Sequence, residues 1–192
     1  MKRLVAASLA LAMMFGLSAC TSDPLAEQFR TGDNKNYISG DGSVTEFKGK
    51  LPVGKNWHAY TMDGQELYSE ALLGKVTVIN FWYAGCAPCR AETPDLAKIA
   101  SEYADQGVQV LGVNVRDSEA TAMAFARNHD LNYPSVMDIY EGAVVKSYTG
   151  VVSPSAVPTT LVINSKGEVT ARVLGRFEPG TLRSLIDTAL KG

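Results

Sequence analysis

Apolar residues run almost unbroken from Leu4 to Leu17 behind Lys2 and Arg3, and the run stops at Leu17-Ser18-Ala19-Cys20. A short basic head, an apolar core too short to cross a bilayer comfortably as a helix, and small residues at its end predict a signal peptide over 1–19. Beyond Cys20 the pattern dissolves. Gly, Asp, Asn, Ser and Thr dominate to about Lys50, with Gly32, Gly40, Gly42 and Gly49 as punctuation. This composition predicts a flexible tether over 20–50, carrying one short strand at 44–47.

From Leu51 the periodicity returns, and 51–192 reads as one folded domain. Short alternating strands are predicted at 57–61 and 65–68 around the Asp63-Gly64 turn, then a helical turn over 69–73 closed by Gly74. The continuous β-prone run at 76–82 predicts a strand covered on both faces, and 108–115 predicts a second. Between them, Leu96, Ile99, Ala100 and Tyr103 share one stripe of a helix over 87–104 that ends at Gly107. Pro94 inside it removes the bond to the Arg90 carbonyl and should kink the helix. Ser118 can cap a helix reaching His129, with Met123, Phe125 and Ala126 as core candidates. Strands at 159–163 and 168–174 flank an Asn164-Ser165-Lys166-Gly167 turn, and Glu178-Pro179 opens a last helix to Leu190. Strand, helix, strand, helix, hairpin and helix imply an α/β fold, a central mixed sheet flanked by helices with an N-terminal β extension.

Composition narrows the function classes. The 192 residues carry 18 basic and 20 acidic side chains. Removing 1–19 takes away Lys2 and Arg3 but no acid, leaving 16 basic against 20 acidic. No basic run or basic-aromatic stripe occurs, so no nucleic acid is expected as partner. Leu17-Ser18-Ala19-Cys20 looks like the lipobox of bacterial lipoproteins. That likeness implies that Cys20 is lipidated and becomes the first residue of the mature chain. Ordinary cleavage nearby, with Cys20 a stray thiol, is the alternative. Lipid at Cys20 leaves Cys86 and Cys89 as the only pair. A loop that short constrains the unfolded chain little, so the pair is expected to be there for chemistry.

The strand at 76–82 leads through Tyr83-Ala84-Gly85 into Cys86-Ala87-Pro88-Cys89 and the helix. A thiol of pKa about 8.5 is mostly protonated at neutral pH, and only the thiolate attacks. Unpaired N–H groups and the macrodipole at a helix N-terminus lower such values to roughly 3.5–7.5. Cys86 at that position, expected to be exposed, is the nucleophile; Cys89, a turn further in, resolves the mixed disulfide. Pro88 stiffens the first turn, where its missing N–H costs nothing. Zinc would need two more ligands, and His58 and His129 lack metal spacing, so neither metal nor cofactor is expected.

The segment Val78-Ile79-Asn80-Phe81-Trp82-Tyr83-Ala84-Gly85-Cys86-Ala87-Pro88-Cys89-Arg90-Ala91-Glu92-Thr93-Pro94 resembles membrane-anchored thioredoxin-like proteins of the TlpA/ResA type. So do Asp138 with Gly142 and Tyr148, and Val157-Pro158-Thr159-Thr160 with the turn after it. The resemblance implies a thioredoxin-like fold and Cys86 and Cys89 as the redox pair. It makes Pro158 a cis proline facing them, although trans is the rule for proline. A cis bend would leave the Val157 backbone free for an extended substrate. Glu92 matches a family glutamate near the active site; half-buried, it could manage the Cys89 proton, and the alternative is a solvated glutamate. Asn80 stands where cytosolic thioredoxins carry a buried acid and is expected to be a structural polar group. Trp82 is expected to be a packing residue and Arg90 a solvated one. Gly85 departs from the family's usual tryptophan, and Ala87-Pro88 does not fix the redox potential.

The function expected is an extracytoplasmic thiol–disulfide oxidoreductase, lipid-anchored to the bacterial cell membrane. It would reduce disulfide-containing secreted or membrane proteins, including apocytochromes during cytochrome c maturation, and be recharged by a membrane thiol carrier of the CcdA/DsbD kind. Its alternatives are an oxidant that forms disulfides in secreted proteins and a non-catalytic lipid-anchored binding module or metallochaperone. Nothing around the motif suggests a peroxide pocket.

Overall fold

The computed structural model describes residues 43–47, 51, 54, 56–153 and 156–192. The signal peptide, Cys20 and most of the expected tether lie outside them. Strands β1 (Val44–Glu46), β2 (His58–Thr61), β3 (Glu66–Tyr68) and β4 (Thr77–Trp82) precede helix α1 (Ala87–Tyr103). Then follow β5 (Gln109–Asn114), α2 (Glu119–Asn128), β6 (Ser135–Met137), α3 (Ala143–Ser147), β7 (Thr159–Ile163), β8 (Val169–Leu174) and α4 (Pro179–Lys191). The eight strands form one sheet in the order β1-β8-β7-β4-β5-β6-β2-β3.

β4 and β5 pair in parallel, joined by α1, while β4 pairs antiparallel with β7 on its other side. The sheet is mixed and flanked by helices, as the pattern implied. Both faces of β4 are covered, and all six of its residues are buried. Because strand side chains alternate, Val78 faces a core built with Leu96 and Ile99 of α1 and Leu182 and Ile186 of α4. Ile79 and Phe81 face the opposite core, with Val144 and Tyr148 around α3. Each such side chain contributes roughly 1.5–3 kcal/mol by leaving water. Asn80 shares the Val78 face, so the strand turns one polar group toward α1.

The short strand expected at 44–47 is present as β1, which extends the sheet by pairing with β8. Three expectations need correction. β6 and α3 were absent from the pattern. β6 has only three residues and follows Pro134; α3 has five and is started from outside itself. The Asp138 carboxylate accepts from Val144 N and Val145 N, both at 2.9 Å, so a buried acid caps a helix six residues on. On α2, Met123 is exposed at 38% and Ala126 only partly buried. Ala122 joins Phe125 in the core instead, because the helix is rotated to set these two against Trp82 and Met137.

Candidate active site

Where β4 ends, the chain turns sharply before α1. Cys86 N donates to Tyr83 O at 3.1 Å, which closes the turn. Ala84 N donates to Asp117 Oδ2 at 2.6 Å. Asp117 is itself held by the end of β5. Asn114 Nδ2 donates to the same oxygen at 2.7 Å, and Asn114 Oδ1 accepts from the N–H groups of Arg116 and Asp117. Asn114 and Asp117 thus fix the loop that presents Cys86, and the sequence reading missed both. Their only sequence signal is polarity at the carboxyl end of a buried strand.

Cys86 and Cys89 form a disulfide with Cα atoms 5.2 Å apart. Cys86 is the N-cap of α1, and its sulfur accepts from Cys89 N at 3.2 Å. No acid stands in the first turn of α1, so the positive end of its macrodipole faces the Cys86 sulfur without competition. Contrary to expectation, Cys86 is only 3% exposed. It packs with Trp82, Phe125 and Met137, and Val157 leans on the same cluster. Trp82, expected to be a packing residue, fills this role while donating from Nε1 to Ser135 Oγ at 2.9 Å.

Glu92 also differs from its expected half-buried state, for it is 1% exposed. It lies three residues beyond Cys89, one helical turn along the same face. Its Oε1 accepts from Asn80 Nδ2 at 2.8 Å, and its Oε2 accepts from Phe177 N at 3.3 Å. Asn80 completes its amide with a second bond to Thr160 Oγ1 at 3.0 Å. Burial raises the Glu92 carboxyl to about 7; the Asn80 bond, the Phe177 N–H and the nearby Arg176 charge oppose the shift only in part. The group therefore changes protonation near neutral pH, in the dry interior behind the disulfide. Asn80 is structural in the sense expected, and its partner is the buried acid one turn beyond Cys89.

The Val157–Pro158 bond is cis. Val157 O lies 3.9 Å from Cys86 Sγ, which brings this loop against the sulfur. Gly85 is exposed and adopts no conformation reserved for glycine; a Cβ there would meet only the Tyr83 ring, at 3.5 Å. Arg90 points its chain segment to solvent and is exposed. The structure thus gathers Cys86, Cys89, Glu92 and Pro158 around one end of α1. Among the described residues no three His, Cys, Asp or Glu side chains group as metal ligands would.

The model of the AhpC/TSA family matches residues 44–172. The thiol-disulfide oxidoreductase ResA of Bacillus subtilis (strain 168) is 34% identical over 130 residues, 68% of this chain and 70% of that protein. ResA of Halalkalibacterium halodurans is 34% identical over 108 residues, 56% of this chain. That match spans only 58% of the relative's own length. Among solved structures, a secreted thiol-disulfide isomerase from Corynebacterium glutamicum superposes with a TM-score of 0.71 at 26% identity. It covers 81% of this chain and 97% of its own. The fold is thioredoxin-like.

Proposed function

Because this chain belongs to the AhpC/TSA family and is a thiol–disulfide oxidoreductase, we propose that it is the reducing partner in exchange with protein disulfides outside the cytoplasm. The observation that carries this reading is the Cys86–Cys89 pair at the N-terminus of α1 with Glu92 buried behind it. In the reduced protein the Cys86 thiolate attacks a substrate disulfide. A Cys86–substrate S–S bond forms, the substrate S–S bond breaks, and the departing sulfur leaves as a thiolate that takes up a proton. Cys89 then attacks Cys86 Sγ, forming the Cys86–Cys89 disulfide and releasing the second substrate thiolate. The substrate gains two electrons and the pair loses two.

Glu92, with its carboxyl raised to about 7, is placed to accept the Cys89 proton as that thiol becomes the attacking group. Once ionised, its charge opposes a second negative charge on Cys89. That penalty falls on the reduced, thiolate form and biases the pair toward the disulfide, the property of a reductant.

The lipobox-like Leu17-Ser18-Ala19-Cys20 supports anchoring through lipid at Cys20, on the extracytoplasmic face of the bacterial membrane. The substrates in this reading are apocytochromes before haem attachment, with recharging by a CcdA/DsbD-like membrane thiol carrier, as the resemblance of the Cys86–Cys89 segment to TlpA/ResA-type proteins implies. Equilibrating the pair with glutathione tests the direction. A reductant gives a potential below about −200 mV, and a value at or above about −180 mV, toward the strong periplasmic oxidants, overturns it.

A further inference from the structure

Trp82 and Asn114 are partners in the parallel register of β4 and β5. Tyr83 and Arg116, one and two residues further on, therefore leave the sheet side by side at the carboxyl end of the strands, where Cys86 stands. The Arg116 guanidinium carbon lies 4.5 Å from the centre of the Tyr83 ring. That ring also flanks Gly85, the residue immediately before Cys86, at the 3.5 Å that a Cβ there would have. With no side chain, Gly85 leaves the approach from this pair to the sulfur unscreened.

A guanidinium laid on an aromatic face is oriented by it and keeps its N–H edge for an anion. Arg116 is exposed, and among the described residues none of the ion pairs includes it. The acids beside it in sequence are engaged elsewhere. Asp117 accepts from Ala84 N and Asn114 Nδ2, and Glu119 accepts from the Tyr140 hydroxyl. Among the described residues, then, a cation with no anionic partner lies on the Tyr83 ring, which in turn flanks Gly85.

We propose that Tyr83 and Arg116 form a subsite for an acidic side chain of the protein substrate, next to its reacting disulfide. This rests on protein disulfide exchange through Cys86. Arg116 would attract and align the substrate, and Tyr83 would hold the guanidinium in place for it. A contact of this kind at the rim acts through encounter rate and weakens with salt.

The test uses the reduced full chain and three synthetic peptides with the same internal disulfide, flanked by two Glu, two Gln or two Lys. Each rate is divided by the same protein's rate with the Gln peptide. The wild type should favour the Glu over the Lys peptide about threefold, as a solvent-facing ion pair allows, and less at high salt. Arg116→Gln should bring the ratio near one, and Arg116→Glu should invert it. An equal preference in wild type and Arg116→Glu overturns the subsite while leaving exchange intact. No exchange with any peptide, the Gln one included, overturns the exchange reading and the subsite with it.

Discussion

Asn80 on the central strand donates to the Glu92 carboxyl of α1 at 2.8 Å, in the interior directly behind the disulfide. The bond joins the two elements that carry Cys86 between them. It also moves the site's buried acid from the strand to the helix, with the amide left in its stead. Both carboxyl oxygens accept from neutral donors, Asn80 Nδ2 and Phe177 N, so among the described residues the carboxyl is hydrogen-bonded without a counter-ion in contact.

This arrangement makes stability fall with rising pH. A carboxyl raised from 4.5 to about 7 holds its proton more tightly in the folded chain than in the unfolded one. Its stabilising contribution is fully present below pH 4.5 and is lost as pH climbs to about 7. The loss is roughly 3 kcal/mol. Glu92→Gln removes it, so in urea titrations the variant should gain on the wild type by about that amount between pH 4.5 and 8. A difference between the two that stays flat with pH contradicts the account.

Asn80→Asp places a second carboxylate against Glu92. Two like charges in a dry site cannot both ionise without a cost of several kcal/mol, on the order of 3–5. The variant should be strongly destabilised at pH 8 and substantially recovered at pH 5. Equal destabilisation at both values would show that the lost Thr160 and Glu92 hydrogen bonds, and not charge, decide the matter.

Gly112 is required by close approach. A Cβ there would lie 2.6 Å from Ser135 Oγ and 2.9 Å from Trp82 Nε1, the two ends of the bond that seats Trp82 beside the disulfide. Gly112→Ala should cost about 1–3 kcal/mol by overpacking. It should also shift the near-ultraviolet circular dichroism of Trp82. An unchanged spectrum with unchanged stability would contradict this.

Asp138→Ala leaves Val144 N and Val145 N without their acceptor, one of them on a residue with no exposed surface. A lost cap of this kind costs about 1–3 kcal/mol. Asp138→Asn, which retains one acceptor oxygen, should recover part of it. Equal chemical-denaturation midpoints for wild type and Asp138→Ala would show that α3 does not depend on this carboxylate.

Long periodic elements were legible from the chain alone. β4, β5 and the α1 stripe of Leu96, Ile99 and Tyr103 stand where the pattern puts them, since each buries enough apolar surface to announce its own face. What the sequence hid depends on distant partners. α3 is five residues started by Asp138, and β6 is three residues made a strand by β5 and β2. At the site, Cys86 and Cys89 were legible from local order, but the depth of Glu92 was not. Its burial is set by Phe177, 85 residues away, and by α4 beyond it. The anchoring of Ala84 by Asp117 was hidden for the same reason, because a link across 33 residues leaves no periodic trace.

Trapping on the full chain tests most directly that Cys86 attacks and Cys89 resolves. Cys89→Ser and Cys86→Ser proteins, reduced and mixed with a disulfide-bonded protein such as insulin, are resolved on non-reducing gels. The account predicts a thiol-reversible adduct that accumulates with Cys89→Ser and is at least about tenfold weaker with Cys86→Ser, whose remaining sulfur lies within the helix and not at its N-cap. An adduct formed chiefly by Cys86→Ser, or by neither protein, would contradict it.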